Sequence, residues 1–326
     1  MNQVQISSST LEHALSRAGI HEQVEHYTPI EAAELEDRRI VVGMLCHDED
    51  CQDPLTSCEG MGRVYTAHRS AGADEHNHMQ EALGLDSNWD PSENAVMAGL
   101  AKMRRISKLL ADMLEKKPFE VQYRELRRLR LIGDPFVQVL DVYEHSGTVY
   151  SIQGEGMQCQ FDTSRGGAVW VPDDSAREEC ERRAKILAFG RLVRLRTEWT
   201  ALLTLSGQQE SLGQFNDWAS AFTTLEKAVT ERDLQATTLE RQAIGMARAA
   251  EDVARGCIEE YNAWLSGDCH GYRVFQAVRG ADSEELEIVG DELESCWGFI
   301  GSEYAQEELK SAVIGAAERL KAKVEA

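Results

Sequence analysis

Cysteine and histidine side chains, the usual ligands of protein-bound zinc, are concentrated between residues 46 and 78 of this chain. The candidate ligands are Cys46, Cys51, Cys58 and His68. Structural zinc sites usually include a close pair such as C-x2-C, whereas the spacings here are C-x4-C and C-x6-C. The spacing therefore favours buried thiols and loop histidines. Zinc is the alternative, and no other cofactor is indicated.

Carboxylates are grouped in two segments, one near residue 50 and one near residue 288. The first could hold a hard cation, but it lacks the alternating D-x-D-x-D-G order of an EF-hand loop. Solvated acidic loops, or a surface that binds a basic partner, fit these segments better. The candidate partner-binding residues are Asp48, Glu49, Asp50, Asp53, Asp282, Glu284, Glu285, Glu287, Asp291, Glu292 and Glu294.

A basic segment interrupts this acidic chain, since residues 102–130 contain ten Lys and Arg against four Asp and Glu. Its candidate site residues are Arg104, Arg105, Lys108, Arg124, Arg127 and Arg128. On one face of a helix such bases could contact nucleic acid or an acidic partner. We favour internal pairing with residues 1–92, which hold 17 acids and only 5 bases.

Sequence motifs of catalysis are absent from the chain. There is no G-x-S-x-G or H-E-x-x-H, and the glycines at 154–156 and 166–167 do not match a phosphate-binding P-loop. Cys269 and His270 are neighbours, which would place their side chains on opposite faces of a strand. A catalytic pair there would need a second histidine from elsewhere. We therefore predict no catalytic residue and expect that the chain is not an enzyme.

The overall charge limits the classes of partner. The 326 residues include 34 Lys and Arg against 56 Asp and Glu, a formal net charge of −22. This net negative charge argues against direct binding of nucleic acid, which needs clustered Lys and Arg side chains. Hydrophobic residues make up 42% of the chain, and neither an 18-residue apolar run nor a secretory leader is present. We expect a soluble intracellular protein with reduced thiols and no membrane association.

Hydrophobic periodicity and turn residues predict the order of the elements. Short helices are expected to begin at Thr10 and at 28–31, followed by strands at 39–45 and 60–65. Helices divided by Pro118 should occupy 94–130. Residues 131–172 read as a meander of about four strands, including one at 157–161. Residues 173–266 read as helical, 268–301 as strands, and the segment from 302 to about 323 as a final helix.

These elements predict an α+β fold. Small, mostly antiparallel sheets from 136–171 and 268–300 would be covered by helices, with 173–266 as a long helical excursion. The four expected segments are an acidic region at 1–92, basic helices and a β-meander at 93–172, the helices at 173–266, and a β-hairpin with a final helix at 267–326. We expect the two strand groups to join in a single mixed sheet.

Four segments together resemble a family of uncharacterised proteins carried by bacteriophages and plasmids. They read EHSG at 144–147, FDTSRG at 161–166, YNAWLSGD at 261–268 and SCWGFIG at 295–301. The family has Asp in place of Glu144, Trp in place of Phe161, and Val-Tyr in place of Cys269 and His270. The resemblance is concentrated at 136–180 and 255–305, and it implies that residues around 190–250 are an insertion. It carries no established activity, but it implies a mobile genetic element inside a bacterial cell.

Three functions are compatible with this sequence. The favoured one is a phage- or plasmid-encoded accessory protein that inhibits a bacterial defence system by binding a defence protein or a nucleic-acid-binding complex. Its carboxylates could imitate nucleic-acid phosphates. The first alternative is a metal-dependent enzyme that processes nucleic acid with the N-terminal Cys, His and Asp residues. The second is an oligomeric structural protein, for which the long helices would form a homodimer.

Overall fold

The computed structural model describes residues 2–20, 24, 28–36, 38–67, 72–205, 207–280 and 285–325, with side chains described as far as residue 322. The chain has an α+β fold, and its strands pair antiparallel in three sheets. The helices are α1 (Ser8–Arg17), α2 (Pro54–Ser57), α3 (Ala73–Leu83), α4 (Glu93–Ile106), α5 (Lys108–Leu114), α6 (Phe119–Arg128), α7 (Asp174–Leu187), α8 (Trp218–Glu231), α9 (Leu239–Leu265) and α10 (Ser302–Glu325). The strands are β1 (Asn2–Gln3), β2 (Ile30–Glu34), β3 (Arg39–His47), β4 (Arg63–Thr66), β5 (Gln138–Glu144), β6 (Thr148–Ile152), β7 (Thr163–Val171), β8 (Gly190–Leu195), β9 (Glu198–Leu205), β10 (Gln208–Phe215), β11 (Cys269–Arg279), β12 (Leu286–Ile288) and β13 (Glu294–Ile300).

The elements form two compact units. The first unit combines both ends of the chain, Met1–Thr56 and Glu260–Ala326, and the second is the continuous segment Ser57–Glu259. The predicted acidic region at 1–92 is therefore divided. The reason is strand pairing, because β3 pairs with β11 near the C-terminus whereas β4 pairs with β7.

The first unit is built on a six-stranded sheet in the order β1-β2-β3-β11-β12, with β13 also paired to β11. β3 accompanies β11 over nine paired positions, from His47 opposite His270 to Arg39 opposite Val278. On the other edge of β11, β12 and β13 pair with its two ends. β3 is buried at seven consecutive positions, which is typical of a central strand covered on both faces.

Helices cover both faces of this sheet. α10 packs on the face that carries Val41, Leu45 and Val274, and α1 packs on the face that carries Val42 and Phe275. Side-chain alternation along β3 thus supplies two apolar surfaces from one strand. Among the described helices, none combines the length and the apolar character that a bilayer crossing requires.

The second unit contains the other two sheets. One is four-stranded, in the order β4-β7-β5-β6, and its centre holds the fully buried Trp170, whose Nε1 donates to the Met61 carbonyl at 2.8 Å. The other is three-stranded, in the order β10-β9-β8, and α8 packs against it through Phe222 and Leu225.

The three-stranded sheet corrects the prediction that 173–266 is helical almost throughout. Residues 190–215 form strands because alternate side chains such as Ala201 and Leu203 are buried against α8, an arrangement that suits a two-residue period. The rest of this segment is not one continuous helix either, since α8 ends at Glu231 and α9 begins at Leu239.

Three further predictions were wrong. Residues 28–31 do not begin a helix, because β2 pairs with β3 and buries Ala32 and Ala33. The strands at 138–171 and 269–300 do not share a sheet, because each group pairs with a different N-terminal strand. Residues 157–161 are not a strand, so β4 supplies the fourth strand of the meander sheet. The predicted strands at 39–45 and 268–301 and the final helix are confirmed.

Candidate functional site

The predicted basic segment forms three consecutive short helices, and its serines and proline decide where these begin and end. Ser92 caps α4 by accepting a hydrogen bond from Ala95 N, and Ser107 accepts one from Leu110 N at the start of α5. The backbone of Ser107 is extended, which separates α4 from α5. Pro118 precedes α6, at the break that the sequence predicts. As a result α4 contacts both α5 and α6 instead of continuing as one rod.

These helices bury one apolar face and expose another. The buried side chains are Val96, Leu100, Met103, Ala111, Leu114 and Leu126. In contrast, Ile106, Leu109, Leu110 and Met113 are 57%, 70%, 47% and 55% exposed. Single exposed apolar residues are ordinary on protein surfaces, but a group on neighbouring turns is typical of a surface that binds another molecule.

Two of these exposed side chains, Leu110 and Met113, line a groove of about 760 Å³, which we call the α4–α6 groove. Its apolar lining comes from these three helices and the start of α9. The lining includes Met103, Leu110, Met113, Leu114, Val121, Leu129 and Leu239. Lys117, Arg124, Glu125, Arg128 and Glu240 are the charged residues that border it. Grooves that receive an amphipathic helix have this combination of apolar lining and charged border.

The ion pairs of the basic segment stay close to the segment itself. Arg104 pairs with Glu115 at 2.8 Å, and Arg128 pairs with Glu125 at 2.7 Å and with Glu240 at 3.5 Å. We expected pairing with the acids of residues 1–92, but the described residues contain no ion pair between those acids and the basic segment. Charged side chains on the same helix or on an adjacent helix can pair with little further loss of conformational entropy. Local ion pairs are therefore favoured.

Six other bases of the segment are exposed and have no ion pair within the described part of the chain. They are Lys102, Arg105, Lys108, Lys116, Lys117 and Arg124. Of the predicted site residues, Arg105, Lys108 and Arg124 thus remain available to a partner. Arg127 does not, because it turns inward, where burial lowers the pKa of its guanidinium.

The predicted acidic surface is spread along the sheet of the first unit. Asp48 follows β3, and its N–H donates to the Cys269 carbonyl at the start of β11. Glu287 lies in β12, opposite Val278 near the other end of β11. Nine residues of extended strand separate these points, a distance of about 30 Å. The two acidic segments therefore do not form one cluster.

Several of these carboxylates also have structural partners. Glu285 pairs with Arg17 at 2.9 Å, Glu292 with Arg273, and Glu294 with Arg319. Asp48 accepts a hydrogen bond from Gly298 N, and Asp53 accepts one from Leu55 N at the start of α2. Glu49, Asp50, Glu287 and Asp291 are exposed. Asp282 and Glu284 lie outside the described residues.

The candidate zinc ligands are not brought together. Cys46 is buried in β3 and Cys51 is half-buried after it, while Cys58 is exposed and belongs to the second unit. His68 lies outside the described residues. In the described ranges, no three His, Cys, Asp or Glu side chains are placed to hold a metal ion. The eight cysteines are free thiols.

The pairing of β3 with β11 places together two histidines that are far apart in the sequence. His47 lies opposite His270, with ring centres 6.5 Å apart. His270 Nε2 lies 2.7 Å from Asp268 Oδ1, and Asp268 Oδ2 accepts a hydrogen bond from Ser302 N in the first turn of α10. This arrangement supplies the second histidine that Cys269 and His270 lacked in the sequence. Its evident role is structural, since Asp268 ties the start of β11 to the start of α10.

No family model, no curated protein and no solved structure matches this chain. The α4–α6 groove joins exposed apolar side chains to bases without carboxylate partners in the described residues.

Proposed function

We propose that this chain is an accessory protein, encoded by a bacteriophage or plasmid, that acts in the cytoplasm of its bacterial host. There it would inhibit a defence system by binding one of the proteins of that system. The α4–α6 groove carries this proposal, because its exposed apolar side chains adjoin bases that lack ion pairs within the described residues. The sequence resemblance to phage and plasmid proteins supports the cellular setting.

The composition of the groove indicates the chemistry of the partner. Lys117 and Arg124, which have no ion pair in the described residues, attract carboxylates, and the apolar lining accepts apolar side chains. Both demands are met by an acidic amphipathic helix of the target protein. Covering the exposed surface of Leu110 and Met113 would contribute on the order of 1 kcal/mol per residue to such a complex.

The nucleic-acid mimic form of this proposal has less support than the groove. A mimic needs carboxylates at the spacing of phosphates on one face. Glu285, Glu292 and Glu294 are neutralised by arginines.

A test in cells uses the double variant Leu110→Asp with Met113→Asp, whose side chains line the groove and are 47% and 55% exposed, so that we expect folding to be preserved. The matched control is Met157→Asp with Phe161→Asp, which are 65% and 89% exposed outside the groove lining. We expect the wild type and the control to raise phage plating on one of a panel of strains that each carry one defence system. The groove variant should lose this effect. Equal protection by the groove variant would refute the groove as the inhibitory surface.

A test in solution identifies the occupant of the groove. We expect a labelled acidic amphipathic peptide to bind the wild type more tightly than a peptide of the same apolar pattern with basic charges, as measured by fluorescence anisotropy. Raising the ionic strength should weaken this binding. If light scattering instead shows a homodimer that the Leu110→Asp, Met113→Asp variant dissociates, a second copy occupies the groove and the proposed partner is wrong.

A further inference from the structure

A second cavity, of about 810 Å³, lies in the second unit between α7, β8, β9 and α9, and we call it the arginine pocket. Five arginines line it, together with four carboxylates, Trp199 and Trp218. Its volume is within the range of small-molecule sites. Such a density of guanidinium groups needs an explanation in a chain with a net charge of −22.

The carboxylates of the pocket are largely used by two of the arginines. Arg183 pairs with Asp252, which also accepts a hydrogen bond from Trp218 Nε1 at 3.0 Å. Arg255 pairs with Glu155 and with Glu251. The charges of Arg183 and Asp252 balance, whereas Arg255 and its two carboxylates together carry one net negative charge. Both networks form walls of the pocket and occupy two of its five arginines.

Three arginines of the pocket remain without an ion pair in the described residues, namely Arg191, Arg194 and Arg248. Arg248 Nη1 donates to the carbonyls of Leu187 and Gly190, at 3.0 and 2.7 Å. These two bonds fix the position of its guanidinium without neutralising it. Burial lowers the pKa of Arg248, and the positive charge of Arg191 lowers it further. Two like charges thus converge on the pocket.

The backbone at Gly190 permits this convergence. A Cβ atom there would lie 2.4 Å from Leu225 Cδ1 and 2.7 Å from the Leu202 carbonyl oxygen. The absence of a side chain lets β8 pack closely on α8 while the Gly190 carbonyl faces Arg248. The same strand then presents Arg191 and Arg194 from its exposed positions.

The two indoles of the pocket have different surroundings. Trp218 is half-buried and already has ring partners, because it stacks on Phe222 with ring centres 4.8 Å apart and the Arg183 guanidinium lies 4.2 Å from its ring centre. Trp199 is half-buried, and the guanidinium of Arg194 lies 5.8 Å from its ring centre. Trp199 and Arg194 therefore offer two neighbouring planar groups, which suit the face of an aromatic base.

The geometry points to a nucleotide-binding site in the arginine pocket, with a phosphate between Arg191 and Arg248 and the base against Trp199 and Arg194. Guanidinium groups bind phosphate oxygens through charge-assisted, often bidentate hydrogen bonds. A phosphate would also relieve the repulsion between the two converging arginines. This site is separate from the α4–α6 groove and does not depend on the function proposed for the groove.

The test is a titration of the full chain with AMP, ATP, adenosine and inorganic phosphate, followed by calorimetry and by tryptophan fluorescence. We expect AMP and ATP to bind, with Arg191→Gln and Arg194→Gln each weakening AMP binding by roughly tenfold or more, as for the loss of a charged hydrogen bond. Arg165→Gln removes an exposed arginine of the same unit outside this pocket and should leave the affinity unchanged. The Leu110→Asp, Met113→Asp variant should also bind AMP as the wild type does.

Three results would overturn the assignment. The first is the absence of binding by AMP and ATP at millimolar concentration. The second is an affinity for inorganic phosphate equal to that for AMP, which would exclude recognition of the base. The third is an equal loss of affinity in Arg165→Gln and Arg191→Gln, which would indicate a general charge effect.

Discussion

At the scale of single residues, Asp141 shows how a buried charge can hold two turns in place. It lies in the middle of β5 and is 1% exposed. Its carboxylate accepts hydrogen bonds from Gly154 N at 2.8 Å, Gln158 Nε2 at 3.0 Å and Gly166 N at 2.8 Å. Hydrophobic periodicity alone does not explain an acidic residue within an apolar strand. The groups that donate hydrogen bonds to Asp141 lie in turns that follow it in the chain.

We predict that Asp141→Asn destabilises the protein by about 1–3 kcal/mol, because the amide replaces a charged acceptor of three donors. Urea unfolding at neutral pH measures this effect. Glu198→Gln, at an exposed position of β9, is the matched control and should change the free energy of unfolding little. An equal effect of the two substitutions would contradict the role of Asp141.

The same carboxylate predicts a pH dependence. Burial raises the pKa of Asp141, but the hydrogen bonds from Gly154, Gln158 and Gly166 outweigh it, so the net pKa is lowered. A carboxyl group whose pKa is lower in the folded protein than its unfolded value of about 3.9 contributes its full stabilisation of the fold above that pH. This contribution is lost as the pH falls through the folded pKa. The stability difference between the wild type and Asp141→Asn should therefore shrink below about pH 4. If this stability difference instead grew on acidification, folding would raise the pKa of Asp141 and the prediction would be wrong.

At the scale of elements, the docking of α10 on β3 depends on one small residue. Gly43 is in the centre of β3, and a Cβ atom there would lie 2.6 Å from Leu309 Cδ1 and 2.8 Å from Val313 Cγ2. Both partners are buried, so neither side chain can move aside freely. The sequence presents Gly43 only as an interruption of an apolar run, whereas the structure shows close helix–sheet contact.

We predict that Gly43→Ala lowers the free energy of unfolding by about 1–3 kcal/mol through overpacking. Gly315→Ala, on α10 itself, is the control, because its new methyl group meets only the end of the Arg319 side chain at 3.4 Å. That control should stabilise the helix by about 0.5–1 kcal/mol. Thermal unfolding by circular dichroism compares the two variants. A neutral Gly43→Ala would mean that α10 does not pack closely at this position.

At the scale of the whole molecule, charge is distributed unequally between the two units. The first unit has 25 acids and 9 bases, a net charge of −16, whereas the second has 31 acids and 25 bases, a net charge of −6. The predicted contrast between acidic ends and a basic middle thus corresponds to a contrast between units, because both ends fold together.

We predict that added salt stabilises the first unit, since screening reduces repulsion among its excess carboxylates. Hydrogen exchange of the full chain in low and moderate sodium chloride measures this locally. Protection of the backbone amides of β3 and β11 should increase with salt, and those of β5 and β7 should change less. Reduced protection of β3 in salt would show that local ion pairs, such as Arg17 with Glu285, outweigh the net repulsion.

The sequence by itself determined the α+β class and those elements whose pattern is local. The helices at 93–128, the break at Pro118, the hairpin around Ser146 and the strands after residue 268 follow from periodicity and turn residues. The sequence also predicted the basic segment of the candidate site and part of the apolar pattern of its helices.

Only the tertiary structure decided which strands pair and which charges remain unpaired. β3 joins β11 across more than two hundred residues, and residues 190–215 become strands because their alternate side chains are covered by α8. Arg191 and Arg248 are likewise brought to one pocket by different elements. The physical reason is that burial and charge neutralisation depend on which surfaces meet in space, whereas propensity and periodicity report only on neighbours in the chain.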